Sequence, residues 1–169
     1  MAAAKQSGLP QVTFTNDITI NLGDKEVDAY YFGRAHTNLD AWIHFPAMRV
    51  LASGDAFNNG LGTGGTGGYY GMAINYQTGG SIVDMPQTLD QVLKLDFDVV
   101  IPGHGLVANR AQFMRWRTEV ETIGKRIPEV VRQGNSREDI RSMLITMSAW
   151  DPNGQIIPRS LDGLINELK

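Results

Sequence analysis

The stretch FGRAHTNLDAWIHFPAMRVLASGDAF, residues 32–57, places two potential metal ligands, His36 and Asp55, at the ends of two predicted apolar strands. A third candidate, His104, follows another apolar run where that run breaks at a Pro-Gly pair. Because strands are rigid and their ends meet at one edge of a sheet, ligands placed there can converge on one point. The sequence therefore predicts a metal site at a sheet edge, built from one carboxylate and two imidazoles.

Alternating apolar and polar residues around this stretch predict a meander of antiparallel strands. The predicted strands are residues 12–15, 18–22, 27–32, 41–45 and 49–53, with a further short strand at 98–101. Turn residues such as Asn16-Asp17 and Gly23-Asp24 separate the first three. These strands are expected to form one sheet.

From Ser81 onward the apolar residues recur at steps of three and four, which is typical of amphipathic helices. Helices are predicted to begin at Ser81, at about Arg110, at Ser136 and at Ser160. Residues 1–10 are small and polar and are expected to be a loose lead-in, and residues 11–169 to be a single domain. The fold class is α/β, with α and β elements in layers: a mainly antiparallel sheet backed by helices.

Composition excludes several classes of protein. The net charge of −3 and the scattered Lys and Arg residues argue against a nucleic-acid partner. The chain has no cysteine, so any zinc must be held by imidazole and carboxylate groups. No stretch approaches the ~20 apolar residues of a membrane span, and the first residues lack the apolar core of a signal peptide. We therefore expect a soluble chain with no membrane partner, cytoplasmic by default.

Three short motifs occur in order along the chain: G-x-x-H-T at residues 33–37, S-G-D-x-F at 53–57 and P-G-H-G at 102–105. Together they resemble the later metal-binding motifs of the metallo-β-lactamase-fold hydrolases, and the resemblance runs from about residue 12 to about residue 134. The first motif of that family, H-x-H-x-D-H, is absent upstream of residue 33. The sequence thus resembles the C-terminal half of that fold, one half of an αβ/βα sandwich.

The resemblance implies a role for each motif residue in a site with two zinc ions. His36 would bind one ion, His104 the other, and Asp55 would bridge them as a catalytic residue beside the activated water. Each ion would keep one imidazole and a share of one carboxylate, whereas a catalytic zinc normally has about three protein ligands. We therefore expect a hydrolase lineage whose isolated chain binds zinc weakly and has little or no activity.

Two nearby residues have predicted supporting or structural roles. Asp40 is expected to orient a ligand's second ring nitrogen, as carboxylates often do around metal sites. Leu39 precedes it where the family usually has glycine. His44 lies inside a predicted strand and outside every motif, so a structural role is predicted for it.

The glycine-rich residues 60–71 form the second unusual stretch. Within it, residues 62–67 match G-x-G-x-x-G, but a nucleotide-binding loop needs a strand before and a helix after it, and neither is predicted. A loop beside the site is the favoured interpretation. Tyr69, Tyr70 and Tyr76 could line a substrate cleft there, although ordinary packing of loop aromatics is the simpler interpretation.

If half of the sandwich is absent, the inner face of the remaining sheet would be uncovered. That face would be formed by residues such as Ile18, Ile20 and Trp42, or by the residues that alternate with them along the strands. Soluble proteins rarely expose an apolar face larger than a few hundred Å². We therefore expect a homodimer through this face, or an N-terminal half supplied by another chain. The alternative to a hydrolase is a non-catalytic binding or structural module that presents the loop of residues 60–71.

Overall fold

The computed structural model describes residues 10–59, 73–148 and 156–168. Its strands form one six-stranded sheet, in which each strand lies beside its neighbours in sequence. The strands are β1 (Asp17–Leu22), β2 (Lys25–Tyr30), β3 (Trp42–Phe45), β4 (Val50–Asn59), β5 (Val99–Gly105) and β6 (Ala108–Asn109). All pairs are antiparallel except β4 with β5, so the predicted mainly antiparallel sheet is confirmed.

Three strand predictions need correction. Residues 12–15 form no strand, and Val12 and Phe14 are exposed. β4 and β5 extend beyond their predicted ends, through the Asp55 and His104 motifs. Alternation of side chains does not reveal this extension, because the two strands stay paired only through register shifts near Gly54.

The described residues contain the four predicted helices, one between β4 and β5 and three after β6, and two of them start at different residues than predicted. They are α1 (Met85–Val92), α2 (Arg110–Arg132), α3 (Arg137–Ser148) and α4 (Ile156–Glu167). α1 begins after Ser81 because residues 82–84 form a turn, in which the Asp84 amide donates to Ser81 Oγ at 3.0 Å. No helix in the described ranges is long and apolar enough to cross a membrane.

The helices pack against one face of the sheet through a cluster of aromatic rings. Phe113 of α2 meets Trp42 of β3 edge to face, with ring centroids 6.0 Å apart, and meets Phe97 at 5.7 Å. Leu51 and Val100 of the central strands are fully buried beneath the same layer. This layer is the hydrophobic core, which holds β4 and β5, the two strands that carry Asp55 and His104.

Arg110, the first residue of α2, ties α2 to the end of α1. Its guanidinium donates to the carbonyls of Leu93 and Leu95 and lies 4.5 Å from the centre of the Phe97 ring. The last carbonyls of a helix have no partner within the helix, so these bonds satisfy groups that would otherwise be costly to bury. Arg110 thus fixes the start of α2 against the segment that connects α1 to β5.

The opposite face of the sheet is apolar and partly open. Directly paired residues share a face, so the register of the strands places on it Ile18, Ile20, Leu22, Val27, Ala29, Ile43, Phe45, Val50, Ala52, Val99 and Ile101. The same rule places two polar residues at its margins, Lys25 opposite Leu22 and Asn109 opposite Val99. Ile20, Leu22 and Ile101 are 44%, 63% and 45% exposed. Ile18 and Ile20 lie on this face, whereas Trp42, predicted on the same face as they are, lies on the helix side.

Candidate metal centre

Asp55 lies in β4 at a local irregularity of the sheet. The pairing of β4 with β5 shifts on both sides of Gly54, which has a φ of +52° that favours glycine. Such bulges bend a strand and redirect the side chains that follow. The bulge therefore helps to set the direction of the Asp55 carboxylate, which is half-exposed.

His104 reaches Asp55 from the neighbouring strand. Its Nε2 lies 3.3 Å from Asp55 Oδ1. Gly103 permits this approach, since a Cβ there would lie 2.2 Å from Asp55 Oδ1 and 2.6 Å from the carbonyl carbon of Gly54. Sterics therefore explain why glycine precedes the histidine in P-G-H-G: a side chain at position 103 would collide with Asp55 and Gly54.

His36 approaches Asp55 from the segment that follows β2. Its Nε2 lies 3.8 Å from Asp55 Oδ2, and its Nδ1 lies 2.8 Å from the backbone carbonyl of Ala73. A carbonyl oxygen can only accept, so Nδ1 carries the proton and donates it to Ala73. The neutral ring therefore keeps its lone pair on Nε2, the nitrogen that faces Asp55.

The two imidazoles thus face different oxygens of one carboxylate. This is the arrangement in which Asp55 could bridge two cations, each also bound by one histidine. Within the described ranges, no group of three or more His, Asp or Glu side chains could by itself hold a metal ion. The donors fit one part of a two-zinc site, because their types and the tautomer of His36 suit zinc, while their number is below that of an ordinary catalytic site.

Asp40 has a different neighbour from the predicted one. Its carboxylate accepts from the Thr37 backbone amide at 2.8 Å and from the Thr37 hydroxyl at 3.0 Å. The Ala73 carbonyl, rather than Asp40, contacts the second nitrogen of His36. Burial raises the pKa of Asp40, and the Thr37 hydrogen bonds oppose that rise. Asp40 therefore shapes the turn after His36.

Tyr76 packs inside the protein. Its ring lies against the backbone of α4, so closely that a Cβ at Gly163 would be 2.2 Å from Tyr76 Cδ2. Burial raises the pKa of the Tyr76 hydroxyl, and the nearby Glu167 carboxylate raises it further. Tyr76 is thus a packing residue. Tyr69, Tyr70 and residues 60–71 lie outside the described residues.

His44 has the predicted structural role. It is buried in β3, with Nε2 3.0 Å from the Asp96 carbonyl and Nδ1 3.9 Å from the Asp28 carboxylate. Asp28 also accepts from the Thr19 hydroxyl at 2.6 Å and from the Tyr30 hydroxyl at 3.2 Å. These partners satisfy a buried polar group on the helix side of the sheet.

The contact of His36 with the Ala73 carbonyl was not predicted from the sequence. Every residue carries a backbone carbonyl, so the residue type does not reveal which carbonyl will lie beside a given side chain. Only the folded structure does. Its position two residues after the glycine-rich stretch is the one sequence signal near it.

No family model matches the sequence. The curated Metallo-beta-lactamase type 2 of Bacteroides fragilis is 28% identical over 107 residues, which are 60% of this chain and 39% of that protein. The solved Metallo-beta-lactamase from Pontibacter korlensis superposes with a TM-score of 0.54 at 19% identity, over 68% of this chain and 50% of that one. The solved structure of TMB-1 gives a TM-score of 0.50 at 24% identity, over 66% and 48% of the two chains.

These similarities and the helix-backed sheet define the class of the molecule. The chain has part of the metallo-β-lactamase fold. It spans between 39% and 50% of the length of these relatives.

Proposed function

We propose that this chain carries the C-terminal portion of a zinc-dependent hydrolase site. The observation that carries the proposal is the carboxylate of Asp55 between two imidazoles, with His36 Nε2 at 3.8 Å from one oxygen and His104 Nε2 at 3.3 Å from the other. These groups lie on a fold shared with metallo-β-lactamases. His36 and His104 would each hold one ion, and Asp55 would bridge the two.

When bound, zinc lowers the pKa of a water to about 7 and polarises the bond to be cleaved. The residues of this chain supply the geometry. Ala73 fixes the tautomer of His36, and Gly103 brings β5 close enough for His104 to face Asp55. Because the ligand set is small, the isolated chain should bind zinc weakly and hydrolyse little or nothing.

The isolated chain should bind zinc weakly through His36, Asp55 and His104. Zinc titration by calorimetry should show saturable uptake with an apparent Kd in the micromolar range or weaker. His36→Ala, His104→Ala and Asp55→Asn should each weaken it by about tenfold or more, because each removes one of few ligands.

The control is Asp24→Asn, since Asp24 is an exposed acid paired with Lys25 at the other end of β2. Its zinc affinity should match that of the unaltered chain. A chain that takes up no zinc, or that loses none in the three ligand variants, would contradict the proposal.

We further propose that the open face of the sheet docks a second copy of this chain. The residues along the middle of that face are all apolar, so two copies would bring no like charges together there. The solved relatives are about twice as long as the part that this chain matches, which leaves room for one more layer of similar size. A two-fold axis through the face would pair the same residues on both copies.

A further inference from the structure

Helix α4 is linked to the candidate metal centre indirectly, through one buried hydroxyl that contacts the backbone next to Ala73. Ser160, which is 2% exposed, donates from Oγ to the Ile74 carbonyl at 2.9 Å and accepts from the Ile74 amide at 3.3 Å. One side chain thus holds both backbone groups of Ile74. The preceding residue is Ala73, whose carbonyl accepts from His36 Nδ1.

Two further residues of α4 hold the segment that follows Ile74. Gly163 lets the Tyr76 ring lie against the helix, and the Glu167 carboxylate accepts from the Ser81 hydroxyl and, at 3.0 Å, from the Ile82 amide. Ser160, Gly163 and Glu167 are three and four residues apart, so they lie on one face of α4. That face therefore contacts residues 74–82 near both ends.

The same segment holds the backbone around His36. The Asn75 amide donates to the His36 carbonyl at 2.8 Å, and the Ser81 amide donates to the Ala35 carbonyl at 3.1 Å. Residues 73–81 therefore contact both the ring and the backbone of His36, while α4 holds those residues from the other side. The ring of His36 is thus linked to Ser160 by a short path of hydrogen bonds and one peptide unit.

A simpler interpretation is that Ser160 only satisfies the buried amide and carbonyl of Ile74, which need partners wherever they lie. That role predicts a loss of stability alone when the hydroxyl is removed. Because Ile74 directly follows Ala73, removing the Ser160 hydroxyl should also change the hydrogen bond of His36. If the Ile74 backbone moves, the Ala73 carbonyl moves with it, and the proton of His36 is no longer held on Nδ1.

We propose that Ser160 is a positioning residue for His36. Its hydroxyl holds the Ile74 backbone so that the Ala73 carbonyl accepts from Nδ1, which keeps the lone pair of His36 on Nε2, toward Asp55. The effect on zinc affinity rests on the proposed function, whereas the effect on the tautomer does not.

The test measures the His36 tautomer by ¹⁵N NMR of the ring, at about pH 8, where an ordinary imidazole is neutral. The unaltered chain should show Nδ1–H as the dominant form. Ser160→Ala should give a mixture with Nε2–H and should weaken zinc binding about 10- to 100-fold, the range typical of outer partners of metal ligands. Ser160→Thr, which keeps the hydroxyl, should have the tautomer and the zinc affinity of the unaltered chain.

Ser142→Ala on the exposed side of α3 is the matched control and should change neither measurement. Ser160→Cys covers the case in which Ser160→Ala does not fold, since the thiol is a weaker partner of similar size, and a smaller shift in the same direction is expected. A folded Ser160→Ala or Ser160→Cys chain with the tautomer of the unaltered protein would overturn the proposal. If the unaltered chain binds no zinc, the proposed function fails, and the tautomer alone decides the role of Ser160.

Discussion

Gly103 controls how closely two strands of the site approach. A side chain at this position would collide with both the carboxylate and the backbone around Asp55. The backbone cannot yield as a flexible side chain would, so β5 would have to move away from β4. The P-G-H-G motif therefore specifies a distance between strands as well as a histidine.

Gly103→Ala should destabilise the protein by about 1–3 kcal/mol, as expected for overpacking. It should also weaken zinc binding, because Asp55 and His104 would separate. Urea denaturation measures the first effect and calorimetry the second.

Gly124→Ala is the control for the same chemical change with the opposite expected sign. Gly124 lies within α2, where a Cβ would make an ordinary contact 3.7 Å from Ile82 Cγ1. Replacing a glycine inside a helix by alanine should stabilise the protein by about 0.5–1 kcal/mol. Equal effects of the two substitutions would rule out the steric explanation.

At the scale of elements, α2 joins the sheet to the rest of the helical layer. It begins directly after β6 with a capping box, in which the Asn109 side chain accepts from the Gln112 amide and the Gln112 side chain accepts from the Asn109 amide, both at 2.9 Å. The next residue, Arg110, holds the end of α1. The start of α2 is therefore fixed relative to both β5 and α1.

Asn109→Ala should lower the free energy of unfolding by about 1 kcal/mol, because it leaves an amide of the first turn without its partner. Thermal and urea denaturation measure this change. Asn21→Ala, at an exposed position in β1, should stay within about 0.5 kcal/mol of the unaltered chain. A cap variant as stable as this control would show that α2 is held by packing alone.

At the scale of the whole molecule, the two faces of the sheet differ in what covers them. The helix side holds the fully buried Trp42, Leu51 and Val100, while the other side leaves large aliphatic side chains half-buried or exposed. Burying apolar surface stabilises by roughly 25 cal/mol per Å², which favours covering this face.

Light scattering at micromolar concentration should give the mass of two copies. Ile20→Glu combined with Leu22→Glu should shift the protein toward one copy, because charges would be buried on the face. Leu106→Glu, an exposed apolar residue in the loop after β5, should leave the mass unchanged. A single copy at every concentration would contradict docking of a second copy.

Much of this molecule follows from the sequence. The period of two in β1 to β3 and the period of three and four in the helices depend on local spacing. The three motifs indicated the candidate ligands, and the structure brings His36, Asp55 and His104 together, although Asp55 and His104 lie within β4 and β5 and not after them. The role of the site as a zinc centre is still a prediction.

Tertiary structure alone decided the rest. Residues 12–15 alternate like a strand but lie unpaired among the described residues, because a strand needs a partner edge as well as a pattern. The face of Trp42 depended on strand register, and the partner of His36 Nδ1 was a backbone carbonyl 37 residues away. Local spacing fixes which side chains share a face, whereas register and distant backbone contacts arise only when the chain is packed.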